Sequence, residues 1–160
     1  MIVLKKIKFK SLLKSIIPAL LAASLGSIFV YLDYVDYDSL VKPFLNPPKI
    51  VFPIAWTIIY IACMVATYFV DSKDDDKELK QKCIINYYIN MFINLIWTVS
   101  FFGLGQLVVG LIVLILLYFS TLSMFLSYRK VQKWAGNLII IYLLWLLLAL
   151  YLNICIVFLN

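Results

Sequence analysis

Between Cys83 and Tyr128 the chain runs for 46 residues without a charged side chain. One transmembrane helix needs only about 20 residues to cross a hydrocarbon core of about 30 Å. The run therefore reads as two spanning helices, and Gly103-Leu104-Gly105-Gln106 supplies the break between them. Three more apolar stretches fit single spans: Ser15 to Leu32 is uncharged for 18 residues, Ile50 to Val70 for 21, and Trp134 to Asn160 reaches the end. The expected fold is an all-α membrane protein with one domain over residues 1–160, a bundle of five transmembrane helices. Its helices are expected at about 12–32, 50–70, 83–102, 107–128 and 134–158.

Composition excludes the alternatives. The chain is 65% hydrophobic and 14% charged, where a soluble domain runs near ~45–50% apolar and ~25% charged. A disordered chain is excluded for the same reason, and 160 residues leave no room for an added soluble catalytic domain. There is no histidine, which removes the commonest general base, the usual catalytic triads, most zinc sites and histidine-ligated haem. Cys63, Cys83 and Cys155 are an odd number with no close pair, so they read as core thiols and give no metal site.

The net charge of +6 is arranged along the chain and not over one face, which argues against nucleic acid as a partner. Lys5, Lys6, Lys8, Lys10 and Lys14 precede the first span. Lys73, Lys77, Lys80 and Lys82 fall in the second connection, and Arg129, Lys130 and Lys133 in the fourth. Together these are twelve of the 14 basic residues, all on one side by alternation. Cytoplasmic connections carry that excess, so the N-terminus is expected inside and the C-terminus outside. The lysine-rich start with Ala22-Ala23-Ser24 also resembles a cleavable signal, but the uncharged run continues to Leu32 and fits a retained helix better.

Two connections carry information. Asp71 to Lys82 mixes five acidic with four basic residues and reads as a solvated turn. Asp33 to Lys49 holds Pro43, Pro47 and Pro48, which fix backbone angles and suit a stiff external lid. Pro53 follows in the first turn of the second helix, where its missing N–H costs little.

Polar and aromatic residues then recur at helical spacing. Asn86, Asn90 and Asn94 lie on one face of the third helix, and Trp97 and Phe101 continue it. Phe52, Trp56 and Tyr60 make a ladder on the second helix, and Trp145, Ala149 and Asn153 one on the fifth. Such stripes either glue helices together or line a pocket, and spacing alone does not separate the two. The small face of Ala19, Ala22, Ala23 and Gly26 suits close helix contact or the floor for a flat ligand.

The segment Pro47-Pro48-Lys49-Ile50-Val51-Phe52-Pro53-Ile54-Ala55-Trp56-Thr57-Ile58-Ile59-Tyr60 resembles the signature of the translocator protein family, also called tryptophan-rich sensory proteins or peripheral benzodiazepine receptors. Tyr37, Leu40, Lys42 and Pro43 are similar to its Tyr-x-x-Leu-x-Lys-Pro motif. Asn94 to Gly103 is similar to its Asn-x-x-Trp-(Ser/Thr)-x-x-Phe-Phe-Gly. Trp134-Ala135-Gly136 with Tyr142, Trp145, Ala149, Leu152 and Asn153 is similar to the fifth-helix pattern. The chain departs from the family at Asp36 and Ile50, where tryptophan is common, and at Ile141, where proline is common. No basic residue follows Tyr142 or Tyr151, so the animal proteins' sterol-recognition pattern is absent.

This resemblance implies a five-helix bundle, often a homodimer, with a pocket under the first loop and membrane lipid around it. Its implied ligands are tetrapyrroles such as protoporphyrin IX or other lipid-like small molecules, with porphyrin as ligand and no obligatory cofactor. The expected lining is Phe52, Trp56, Tyr60, Asn94, Trp97, Phe101, Trp145, Ala149 and Asn153. The rings would stack, the asparagines would orient polar edges, and Ala149 would leave room. Tyr37, Lys42, Pro43, Pro47 and Pro48 would form the lid, with Lys42 meeting acidic ligand edges. Two functions from different classes follow: a receptor, sensor or carrier, or an enzyme that degrades porphyrin in light through Trp56 and Trp145. The lysine-rich inside connections and the lack of an obvious transit peptide suit a bacterial cell membrane.

Overall fold

The computed structural model describes residues 7–74 and 76–160, so the topology lysines Lys5 and Lys6 lie outside the described residues. Five long helices account for most of them: α1 (Phe9–Leu32), α2 (Val51–Ser72), α3 (Lys77–Thr98), α4 (Leu107–Val131) and α5 (Lys133–Leu159). Each is long and apolar enough to cross a membrane. Packing neighbours run α1, α2, α5, α4, α3 and back to α1, which closes a ring, with α2 and α3 also touching across it.

Helix ends follow local chemistry more than hydropathy. The α3 helix starts at Lys77, six residues before the expected 83, because the Asp76 carboxylate accepts from the backbone N–H groups of Glu78 and Leu79 at 2.8 and 3.4 Å. The expected twelve-residue turn at Asp71 to Lys82 therefore shrinks to residues 73–76. Its charges are also used: Lys14 pairs with Asp71 at 3.0 Å, and Lys8 with Asp74 at 3.0 Å. Lys73 donates to the Val131 carbonyl and Lys80 to that of Lys73, covering helix-end acceptors.

After Thr98 the helix loosens into one π-helical turn, Val99–Gly103, with the Leu104 N–H on the Val99 carbonyl. Gly105, at φ +62°, then reverses the chain into α4, so the Gly-Leu-Gly-Gln break falls where the sequence puts it. At the other end of α1, Asp33 takes the left-handed conformation at φ 40° and its N–H closes on Phe29.

Large apolar side chains such as Leu21, Ile112, Phe119 and Leu144 face outward, while Asn90, Asn94, Thr121 and Ser15 are buried. That distribution suits hydrocarbon outside and hydrogen bonding inside. The amide of Asn90 reaches Thr121 at 2.8 Å and that of Asn86 reaches Ser123 and Ser127 at 3.2 Å, which ties α3 to α4. Tyr87 donates to the Ser15 carbonyl at 2.6 Å and ties α3 to α1. Asn86 and Asn90 thus serve as helix glue.

Candidate functional site

Beneath the first connection the ring of helices leaves a cavity of about 610 Å³. The side chains of Phe52, Trp56 and Tyr60 from α2 enter it, as do Asn94 and Trp97 from α3 and Phe101 from the π turn. Trp145, Ala149 and Asn153 from α5 complete the set, so all nine residues of the expected lining meet in one space. The small face of α1 forms the remaining wall with Ala23, Gly26, Ser27 and Val30, while Ala19 and Ala22 lie in the protein core. That face is therefore divided, with Ala19 and Ala22 in helix packing and Ala23 and Gly26 on the cavity.

The rings form two groups. Trp56 lies 5.6 Å from Trp97 at 32° between planes, and Trp97 stacks on Phe101 at 6.2 Å. On the other side Phe52 meets Trp145 edge to face at 5.8 Å. Tyr37, from the connection above, touches both groups, at 6.2 Å from Phe52 and 6.4 Å from Phe101. Its hydroxyl donates to Asn46 at 3.1 Å and its N–H to the Asp33 carboxylate at 3.1 Å, so the ring is held over the cavity.

Polar groups divide into satisfied and unsatisfied. Asn94 accepts from the Tyr60 hydroxyl at 2.8 Å and donates to that of Tyr142 at 3.0 Å. Its amide braces α2, α3 and α5 through these two bonds, which leaves one N–H and one lone pair for anything else. Asn153 donates to the Ala149 carbonyl at 3.0 Å, but its Oδ1 has no partner among the described residues. The indole N–H groups of Trp97 and Trp145 are likewise buried and unpartnered. Two donors and one acceptor on cavity-lining residues are thus left unpaired, turned into the packing behind the cavity wall.

The lid also differs from expectation. Of its five expected residues only Tyr37 lines the cavity. Lys42 turns back on its own connection, donating to the Asp38 and Leu40 carbonyls at 2.9 and 3.2 Å with its ammonium 5.1 Å from the Tyr37 ring centre. Pro43, Pro47 and Pro48 shape turns: Asn46 closes on the Pro43 carbonyl and Val51 on that of Pro48. The cation at the cavity is Lys49, which sequence reasoning did not single out, ion-paired with Asp38 on the rim. That hydrogen bond holds the Asp38 carboxyl below the usual carboxylate range, and burial followed by the Asp38 charge pushes the Tyr37 phenol up. Asn160 fastens the connection to α5, accepting from the Val41 N–H at 2.9 Å and donating to its carbonyl at 3.2 Å.

These features define a five-helix integral membrane protein with an aromatic cavity closed on one side by a stapled connection. The chain belongs to the TspO/MBR family, whose pattern matches residues 15–159. It is 36% identical over 124 residues to the tryptophan-rich protein TspO of Chlorobaculum tepidum, covering 78% of each chain. Over 117 residues it is 32% identical to protein CrtK of Rhodobacter capsulatus, 73% of each. To the tryptophan-rich protein TspO of Archaeoglobus fulgidus it is 29% identical over 150 residues, 93% of this chain and 96% of the relative.

Proposed function

We propose that the protein is a receptor, sensor or carrier that takes flat lipophilic molecules, tetrapyrroles of the protoporphyrin IX kind foremost, into this cavity from a bacterial cell membrane. One observation carries the reading: the rings of Phe52, Trp56, Tyr60, Trp97, Phe101 and Trp145, brought from three helices and the π turn, line one apolar space of about 610 Å³. That volume falls in the range of small-molecule sites, about 300–1,000 Å³. Ring faces offer about 0.5–1.5 kcal/mol per aromatic pair to a π-system beyond area burial. A small turn of each ring would bring the orphan indole N–H groups to acceptors on the ligand, and a turn of Asn153 would let its Oδ1 accept from a donor. Lys49, by exchanging Asp38 for a ligand carboxylate, suits an acidic edge at the mouth. The name tryptophan-rich sensory protein, borne by a relative from Cereibacter sphaeroides that is 31% identical over 117 residues, supports a sensing role.

The test is a titration of the purified chain with protoporphyrin IX in the dark, followed by tryptophan quenching. Saturable quenching that weakens at least severalfold in Trp56→Ala and Trp145→Ala supports the cavity. A flat titration refutes tetrapyrrole binding.

A second reading, light-dependent breakdown of the porphyrin, is favoured by the row of oxidisable rings around Trp56, with Trp97 at 5.6 Å and Tyr60 and Tyr142 at 5.9 Å. Illumination of the loaded protein in air separates the two. Loss of the porphyrin spectrum that vanishes in Trp56→Phe with affinity kept favours turnover, and a stable spectrum leaves binding alone.

A further inference from the structure

A second, smaller hollow of about 310 Å³ lies on the outer face of α3 and α4, at the lysine-rich end of the bundle and away from the aromatic cavity. Its lining includes Lys82, Lys130, Ser123 and Ser127 above the apolar side chains of Leu126, Leu122 and Phe119. The antiparallel register that sets Asn86 against Ser123 and Ser127, and Asn90 against Thr121, brings Lys82 level with Lys130. Two ammonium groups therefore flank one opening.

Neither lysine is held in an ion pair among the described residues. No carboxylate lines the hollow. Lys8, Lys14, Lys73 and Lys80 at the same end are spent on Asp74, Asp71 and helix-end carbonyls. Ser123, in the lining, accepts from the Asn86 amide, and its own O–H remains available as a donor. Below it, Leu126, Leu122 and Phe119 continue from Lys130 along one stripe of α4, and Phe119 is 61% exposed. From Lys130 to Phe119 the helix rises about 16 Å, close to half of a hydrocarbon core of about 30 Å.

We infer that this hollow is a binding site for one anionic phospholipid of the leaflet at the lysine-rich end. Its phosphate sits between Lys82 and Lys130 with the Ser123 hydroxyl as donor, and one acyl chain lies down the Leu126, Leu122 and Phe119 stripe. Charge selects the headgroup, and the apolar stripe distinguishes a lipid from a free phosphate. The site is independent of what the aromatic cavity binds.

The experiment is native mass spectrometry of the full chain in detergent, titrated with phosphatidylglycerol or phosphatidylcholine of equal chain length. The expected result is one retained phosphatidylglycerol, weakened about tenfold or more in the double variant Lys82→Gln, Lys130→Gln. The double variant Lys77→Gln, Lys133→Gln, at lysines of the same end that do not line the hollow, is expected to bind like the wild type. Thermal melts of both confirm that they fold. Equal retention of the two lipids, or equal weakening in both double variants, overturns the site. Displacement of the lipid by millimolar inorganic phosphate overturns it in favour of a simple anion site. A dimer that dissociates in the Lys82→Gln, Lys130→Gln variant without any lipid preference assigns the hollow to a second copy and overturns it too.

Discussion

At the scale of single residues, the site turns on which polar atoms already have partners. Trp145 packs its ring on Phe52 but leaves its indole N–H unpaired, so Trp145→Phe removes a donor that no protein group needs. Stability is expected to change by less than about 1 kcal/mol while affinity for protoporphyrin falls about fivefold to tenfold, the worth of one hydrogen bond. A thermal melt beside a dark quenching titration checks both halves, and a large melt shift with unchanged affinity refutes the assignment. Asn94 is the opposite case. Asn94→Ala strands the Tyr60 and Tyr142 hydroxyls together and is expected to cost about 1–3 kcal/mol, read as a lowered melting temperature in detergent. Spacing placed Asn94 on the inward stripe, but its partners lie 34 and 48 positions away. Periodicity reports a face; it carries no account of which neighbours consume the hydrogen bonds.

Among the elements, the first connection behaves as a unit clamped by Lys49 on Asp38, by Tyr37 on Asn46 and by Asn160 on Val41. Because the Asp38 carboxyl is held below its ordinary value, its contribution is present above the unfolded pKa of about 3.9 and is lost as pH falls through the folded value. Tyr37 is raised, so its contribution persists below the ordinary tyrosine value of about 10 and is lost as pH rises toward the shifted one. Acrylamide quenching of the cavity tryptophans is therefore expected to stay flat from about pH 5 to 9 and to rise below about pH 4. Asp38→Asn should show the raised quenching at every pH, and an unchanged profile would remove the pair from the lid's closure. A different close approach joins α4 to α5. A Cβ on Gly136 would lie 2.8 Å from the Arg129 backbone nitrogen, whereas one on Gly26 would meet Thr98 at an ordinary 3.6 Å. Gly136→Ala should lower stability by about 1–3 kcal/mol and Gly26→Ala by far less, compared by melts of the two variants. The prolines announced a stiff connection, but the turn of Lys42 onto carbonyls and the use of Lys49 instead depend on the folded loop. Likewise hydropathy marked each span, while the Asp76 cap extended α3 into a charged stretch that hydropathy assigned to solvent.

For the molecule as a whole, five spans were legible because a bilayer demands about 20 apolar residues for each crossing and tolerates no unpaired backbone. The ring order, in which α5 closes between α2 and α4, was not, since any order satisfies that demand. Packing decides it, through small residues such as Gly136 and polar ties such as Asn94 to Tyr142 that join residues far apart in sequence. The same bundle separates its charges by end: Asp33, Asp38 and Lys49 line the cavity mouth, with Asp36 and Lys42 on the same connection, and the other described lysines gather at the opposite end. The positive-inside rule then gives a direction to the site, because basic connections stay in the cytoplasm. With the lysine-rich end inside, as that rule predicts, the mouth would open outward and admit a ligand from the outer side. Ser39 in the first connection and Lys77 at the start of α3 are both exposed and stand at opposite ends. In intact cells an impermeant maleimide is expected to label Ser39→Cys and to reach Lys77→Cys only after the membrane is broken. The native thiols interfere little, since Cys63 and Cys83 are buried and Cys155 lies within α5. The reverse labelling pattern would turn the molecule over and make the cavity a receiver of molecules from the cytoplasm.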